Sequence, residues 1–354
     1  MPSPPASRAL EFLLSDPLHT QRVVPDPLPR PASGSVLLRV ERFVLTSNNL
    51  TYARFGRQLG YWAPFPARAP EWGRVPAWGA ARIVDGDPAL AAPGELFTGF
   101  LPMATHVLVR AEPRPDGLRA TAPERADMHP LYRDLTRIDD SVGDAELAVT
   151  AGVAPTAAHL ADDLGERSPA QVVFSSATSR TALTTAVVLR EAGTRIIGLT
   201  AAERTGIAAR TGVFDVVLPY DDIADLPAVA DTVYVDIAGN PAVTAAVHRT
   251  LGSALVRSVG VGVTHTATPS GPATPPGPPV ERFNVGARRI EVAARIGEPE
   301  MEARERAARG SLAAWAAEHL GVERTTGLDQ ARSVWQRIER GDADPLTAAI
   351  IVPA

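Results

Sequence analysis

The stretch QVVFSSATSRTALTTAVVLREAGTRIIGLT (residues 171–200) decides the fold. QVVFSS is a short apolar run rich in β-branched residues, which predicts a strand. ATSRTA interrupts it. Beyond the interruption Ala182, Leu183, Ala186, Val187 and Leu189 recur at helical spacing, so a helix with one buried face follows. RIIGLT is a second strand. Strand, turn, helix and strand in so short a span form a right-handed crossover between parallel strands. The turn is the place where a dinucleotide's pyrophosphate sits in chains that bind one. A helix N-terminus offers unpaired N–H groups and a partial positive charge there.

The glycines of a G-x-G-x-x-G fingerprint are absent from that turn. Ser176, Ala177, Thr178, Ser179, Arg180, Thr181 and Ala182 stand in their place. Small residues still permit close backbone approach, and Ser176, Thr178, Ser179, Arg180 and Thr181 could hold phosphate oxygens through their side chains. The plain alternative is a Ser/Thr helix cap that serves only the fold. Glycines introduced at Ser176 and Ser179 are expected to lower stability through backbone entropy. The second strand ends at Thr200, where NAD-selective chains usually carry a carboxylate for the ribose hydroxyls. Thr200 and Glu203 fit the T-x-x-E pattern of a capping box. An uncharged strand end followed by Arg204 favours a 2′-phosphate, and hence NADP(H). Arg204 as a solvated surface charge is the equal alternative.

Outward from this core the alternation continues. DVVLPY, VADTVYVDIAG and ALVRSVGVG read as further strands of one parallel sheet over 146–265. Asp236 is expected to tie down the loop after its strand, with Gly239 and Asn240 making the turn. His265, after VGVGVT, is a candidate loop contact, although a lone exposed or capping histidine is the plainer reading. Residues 1–145 are mainly β. GSVLLRVERFVLT (34–46) alternates apolar and polar residues, and short strands flank Pro93–Gly94. Helices are expected at 298–320 and near 328–340, and AAIIVP should return to the N-terminal strands.

Composition narrows the function. The chain has 354 residues, 45% of them apolar, with a net charge of −5 and no cysteine. It therefore lacks a basic footprint for nucleic acid, and disulfides and thiolate zinc sites are impossible. No H-x-x-x-H spacing occurs, so no metal site is expected, and the absence of a G-x-S-x-G elbow argues against Ser-His-Asp catalysis. Without a leader pattern or ~18 consecutive apolar residues, a cytoplasmic protein with no membrane partner is expected.

The run LREAGTRIIGLT…ARTGVFDVVLPYDD with TVYVDIAGN resembles the medium-chain dehydrogenase/reductase superfamily, in its zinc-independent quinone and enoyl reductase branch. Gly212, Val213, Phe214, Asp215 and Tyr220 occupy the places of that family's recurring pattern. NNLTYARFG…GYW…EWGRVPAWG resembles the DUF2855 family of undefined function. The resemblance implies an α/β fold: a Rossmann-type doubly wound parallel sheet over 141–284, plus a β-rich GroES-like domain formed by 1–140 and 285–354. It implies Tyr220 and Gly262 as further cofactor contacts, and Asn49 and Tyr52 as residues facing nicotinamide and substrate. A turn built by asparagines, with an aromatic covering the core, is the alternative for that run. Tyr61, Trp62, Trp72 and Trp78 could wall a flat substrate pocket, although buried core aromatics are commoner.

The implied function is zinc-free hydride transfer between NADP(H) and an activated alkene, quinone or carbonyl, in a homodimer acting on a small molecule. Two rivals stay open. One is a non-redox enzyme acting on a CoA- or carrier-bound acyl group. The other is a non-enzymatic ligand-binding protein.

Overall fold

The computed structural model describes residues 7–261 and 275–354, apart from positions 29, 59 and 192. Gly262 and His265 lie outside the described residues. The chain forms two compact units, one of residues 1–152 and 320–354 and the other of residues 153–319.

The first unit begins with an antiparallel hairpin, β1 (Arg8–Leu13) and β2 (Gln21–Pro25). Then come β3 (Ser35–Leu45), α1 (Ser47–Phe55), β4 (Trp72–Gly73), β5 (Pro76–Gly86), β6 (Leu96–Pro102), β7 (His106–Arg114), β8 (Gly117–Ala120), β9 (Asp134–Ile138) and α2 (Asp144–Thr150). The order β3-β5-β6-β9-β8-β7 closes on itself because β3 also pairs with β7, giving a six-stranded antiparallel barrel. Its interior is filled by alternate side chains, among them Val36, Leu38, Val40, Ile83, Phe97, Leu101 and Leu118, all buried.

In the second unit, α3 (Ala154–Gly165) leads into β10 (Gln171–Phe174), α4 (Arg180–Arg190), β11 (Arg195–Thr200), α5 (Thr205–Arg210), β12 (Val216–Pro219), β13 (Thr232–Asp236), α6 (Pro241–Leu251), β14 (Leu255–Gly260) and β15 (Val280–Arg282). All pairs are parallel and the order is β12-β11-β10-β13-β14-β15. Successive strands are added first on one side of β10 and then on the other, which is the doubly wound arrangement. Two helices follow, α7 (Val285–Ile296) and α8 (Glu298–His319). The sequence groups them with the β-rich unit, yet they pack on α3 and α4. Glu305 of α8 binds His159 of α3 at 2.7 Å, and Arg289 of α7 donates to the same carboxylate at 2.6 Å. Trp315 donates its indole N–H to the Thr211 carbonyl at 3.2 Å.

The chain then returns to the first unit as β16 (Gly321–Thr326), α9 (Leu328–Arg340) and β17 (Thr347–Val352). β17 pairs with the end of β3, Ile350 opposite Val44, as the terminal apolar run AAIIVP predicts. Trp335 of α9 is buried against Phe12, with ring centroids 4.8 Å apart.

Candidate functional site

Two clusters, one in each unit, gather the residues that the sequence singles out. In the parallel sheet, β10 ends at Phe174 and the chain turns through Ser175–Ser179 into α4. Ser176 has φ +54°, in the left-handed region that favours glycine. A serine therefore holds a backbone conformation that glycine adopts more readily. The strain of ~1–2 kcal/mol is offset locally: the Ser176 N–H donates to the Tyr220 hydroxyl at 2.9 Å. Behind it, the Ser175 hydroxyl donates to Asp236 at 2.9 Å and accepts the N–H groups of Ile237 and Ala238 at 2.8 and 3.0 Å. Asp236 also takes the Gly239 N–H and the hydroxyls of Thr244 and Tyr234. It ties down its loop as expected, and Asn240 caps α6.

Ser179 caps α4, accepting the Ala182 N–H at 3.2 Å. The cap and the turn thus coexist. The first-turn N–H of Thr181 has no intrahelical partner. Arg180 is half-buried, and Thr178 is buried rather than turned outward. Opposite the turn, Gly198 of β11 lies so close that a Cβ there would stand 2.7 Å from the Ala177 Cβ. Thr200 is buried at the strand end.

The capping box expected from Thr200 and Glu203 does not form. A single helical turn at Ala202–Arg204 starts instead, with Ala201 as its cap and no side-chain cap bond, because β11 keeps Thr200 in its ladder opposite Pro219. Burial pushes the Tyr220 phenol above its ordinary value. The Ser176 hydrogen bond pulls it back, the Asp236 charge adds to the rise, and the Arg204 charge lowers it. Arg204 is thus a near electrostatic neighbour of Tyr220.

In the barrel unit, the Asn run is the start of α1 rather than a turn. Thr46 caps the helix, and the Asn49 side chain accepts the Thr46 N–H at 2.8 Å while its amide donates to the Pro76 carbonyl at 3.0 Å. Asn49 is buried and its amide is used at both ends; it fixes the helix to β5. One turn apart on α1, Asn48 and Tyr52 meet, the Asn48 amide donating to the Tyr52 hydroxyl at 2.7 Å. Trp78 donates its indole N–H to the same oxygen at 3.2 Å. Two donors therefore polarise one phenol oxygen. Burial holds that phenol well above its ordinary value.

Around Tyr52 the rings of Tyr61 and Phe100 stand 4.8 and 5.4 Å away, and Tyr132 packs on both of these at 5.3 and 5.1 Å. Trp78 closes on Phe100 at 5.2 Å. Tyr61 and Trp78 join this group, whereas Trp62 and Trp72 do not. Trp62 fills space beside Gly56 and Gly73 and touches the group only through its indole N–H, which donates to the Tyr52 carbonyl at 2.6 Å, and Trp72 stacks under Arg22. Phe100 and Tyr132 were missed in the sequence. They lie far along the chain, and no period or motif links them to Tyr52. Asn48 was recoverable from its helical i, i+4 spacing.

Among the described residues, no group of three or more His, Asp or Glu side chains is placed to hold a metal ion. No helix among them is long and apolar enough to cross a membrane.

The architecture has solved counterparts. CurA from Vibrio vulnificus in complex with NADPH superposes with a TM-score of 0.66 at 14% identity, covering 98% of this chain and 99% of that one. A mycobacterial protein complexed with NADPH gives 0.64 at 16%, covering 98% and 100%. A quinone oxidoreductase of Pseudomonas syringae pv. Tomato DC3000 gives 0.67 at 14%, covering 98% and 100%. At such identities the likeness is one of fold, and it is the fold expected from the resemblance to medium-chain reductases. The sequence matches no curated protein. The family model described as "Protein of unknown function (DUF2855)" matches residues 43–344. That span runs from the end of β3 through the whole parallel sheet to the loop before β17, and the chain belongs to the DUF2855 family.

Proposed function

We propose that this protein is a zinc-free oxidoreductase that moves hydride between NADP(H) and an activated alkene, quinone or carbonyl compound. The observation that carries the reading is the left-handed Ser176 at the turn between β10 and α4. A non-glycine residue keeps the dinucleotide-binding backbone at a cost in strain, and the turn is braced by the Ser175–Asp236 pair. Such strain persists where the conformation is used. Structures of the same fold that hold NADPH support the choice of cofactor.

The residues present fit that group. The tight approach of Gly198 to Ala177 brings the backbone close, and the helix start with its Ser179 cap suits a pyrophosphate. Thr181 and Arg180 would flank the phosphates. Arg204 and Tyr220 would receive a 2′-phosphate, Arg204 by charge and Tyr220 by its hydroxyl. The buried Thr200 supplies no carboxylate for the ribose of NADH. When bound, NADPH supplies the hydride for an electron-poor carbon.

Tyr52 donates its O–H to the acceptor's oxygen, or a proton to the carbon that becomes a carbanion. Asn48 and Trp78 stabilise the phenol oxygen as its charge grows. Asn49 acts as a positioning residue that fixes α1. The acceptor lies against the rings of Tyr61, Tyr132 and Trp78, which suits a flat molecule. We further read the protein as cytoplasmic, and as a homodimer since β15 is an exposed edge strand with Val280 uncovered.

Titration calorimetry with NADPH and NADH tests the proposal. NADPH is expected to bind at least tenfold more tightly, and Arg204→Ala to remove most of that difference, a loss of ~1.5–3 kcal/mol. Absence of binding by either dinucleotide at millimolar concentration overturns the redox reading.

A further inference from the structure

Arg125 is a buried cation in the barrel unit that, among the described residues, hydrogen-bonds to no carboxylate. The segment 121–133, which links β8 to β9, is exposed or half-buried throughout, with the single exception of Arg125 at 3% exposure. Its guanidinium lies over the Phe65 ring, 4.6 Å from the centroid. One nitrogen donates to the Tyr132 carbonyl at a long 3.4 Å. Glu124, on the outer surface, is the acidic group whose charge it feels, and Arg133 adds a second positive charge nearby. Arg133 itself donates to the carbonyls of Ala120 and Ala126. Burial, reinforced by Arg133, pushes the Arg125 guanidinium down to about 10.

Elsewhere in the same unit a buried arginine is treated differently. Arg74 is held bidentately by Asp26 at 2.9 and 2.8 Å and reaches Glu11 at 3.5 Å. A guanidinium buried for structure alone is expected to have such partners, because an unbalanced interior charge is costly. Arg125 is also placed where a ligand would matter. Phe65 packs on Phe100, the ring that touches Tyr52, Trp78 and Tyr132, and the Arg125 nitrogen bonds the backbone of Tyr132.

We propose that Arg125 recognises a carboxylate carried by the flat acceptor that Tyr52 serves. The inference rests on the reading of the aromatic cluster as the acceptor site. A planar monoanion matches one planar fork set among rings, and the bidentate pair it forms replaces a long bond and a ring contact. Swinging the head of Arg125 on its flexible stem gives up little, since its present contacts are weak.

The experiment uses the full chain without dinucleotide, so its outcome is independent of cofactor binding. Benzoate, trans-cinnamate and 2-naphthoate are titrated by calorimetry beside their neutral primary amides. At least one acid is expected to bind ten or more times more tightly than its amide. Arg125→Met should erase that preference by weakening the acid alone, and Arg125→Lys should retain part of it. Equal affinities within all three acid–amide pairs in the unaltered protein overturn the proposal without recourse to any variant. So does an Arg125→Met protein that keeps the wild-type preference. A clear acid preference in a protein that binds no NADPH would leave Arg125 assigned while removing the redox reading.

Discussion

The Ser175 hydroxyl and the Asp236 carboxylate, 2.9 Å apart, join the ends of two neighbouring parallel strands, β10 and β13, at the foot of the turn that carries Ser176. Asp236 gathers four donors and Ser175 accepts two backbone N–H groups, all in the interior. Removing either side chain takes acceptors away from buried donors, which costs more than the lost bonds. Ser175→Ala is expected to lower stability by about 1–3 kcal/mol and Asp236→Ala by about 3 kcal/mol or more. Urea unfolding monitored by circular dichroism measures both. A double variant no less stable than Asp236→Ala alone would show that the two side chains act as one unit.

Ser176→Gly and Ser179→Gly should part company. The sequence alone predicts that both glycines destabilise. The left-handed φ of Ser176 reverses this for one of them, because glycine adopts that conformation freely and keeps the N–H that Tyr220 accepts. Ser176→Gly is expected to be neutral or stabilising by up to ~1 kcal/mol. Ser179→Gly loses the hydroxyl that caps α4 and should cost a few tenths of a kcal/mol, with Ser179→Ala costing ~1 kcal/mol. Melting temperatures of the three variants decide it, and a Ser176→Gly protein that melts well below wild type would contradict the strain argument.

Tyr52→Phe removes the phenol and keeps the ring. Turnover with an activated alkene is expected to fall ~10²-fold or more while NADPH affinity stays unchanged. Burial keeps this phenol protonated through neutral and mildly alkaline pH, so turnover should show no limb assignable to it below about pH 9. The same raised value has a stability consequence. The folded state holds a proton that the unfolded chain releases, so the contribution is intact below about pH 10 and is lost as pH rises further. Stopped-flow NADPH oxidation across pH checks the first point, and unfolding at alkaline pH the second.

Glu305 should set part of the acid limit of the helical layer on α3. Burial pushes its carboxyl up, but the hydrogen bonds from His159 and Arg289 outweigh burial and hold it down at about 2. A depressed carboxyl stabilises the fold above its unfolded value of 4.5, and this is lost as pH falls through about 2. Up to ~3 kcal/mol is at stake. Glu305→Gln should be less stable than wild type at pH 7 and converge on it near pH 2. Parallel stability curves for the two proteins across that range would refute the assignment.

The fold was legible because its signals are local. Alternating strand and helix patterns over 171–260 map one-to-one onto β10–β14, and the apolar run at 347–352 needs a sheet edge to cover it. α1 was not legible in the same way. Asn48–Asn49 are poor helix residues by propensity, and they form a helix here because Thr46 and Asn49 cap it and Pro76 takes the Asn49 amide, a contact set by β5. The turn between β10 and α4 was legible from its strand–turn–helix context, but the left-handed Ser176 and its Tyr220 partner belong to tertiary geometry. Arg125 and Tyr132 had no sequence signal at all. Nothing along the chain distinguishes a buried arginine from a solvated one until the segment 121–133 is seen to fold inward at a single position.

The pairing of β17 with the end of β3 ties the covering of that edge to the order of synthesis. β3 leaves the ribosome early, while the strand that covers Phe43–Leu45 is made only after all of residues 153–319. The parallel-sheet unit is one uninterrupted stretch and can close on itself first, so the end of β3, at Phe43–Leu45, waits as an apolar edge uncovered. Chains halted within the second unit are therefore expected to accumulate as aggregates rather than as stable half-molecules, and a tag that obstructs the strand after Thr347 should do the same damage from the other end.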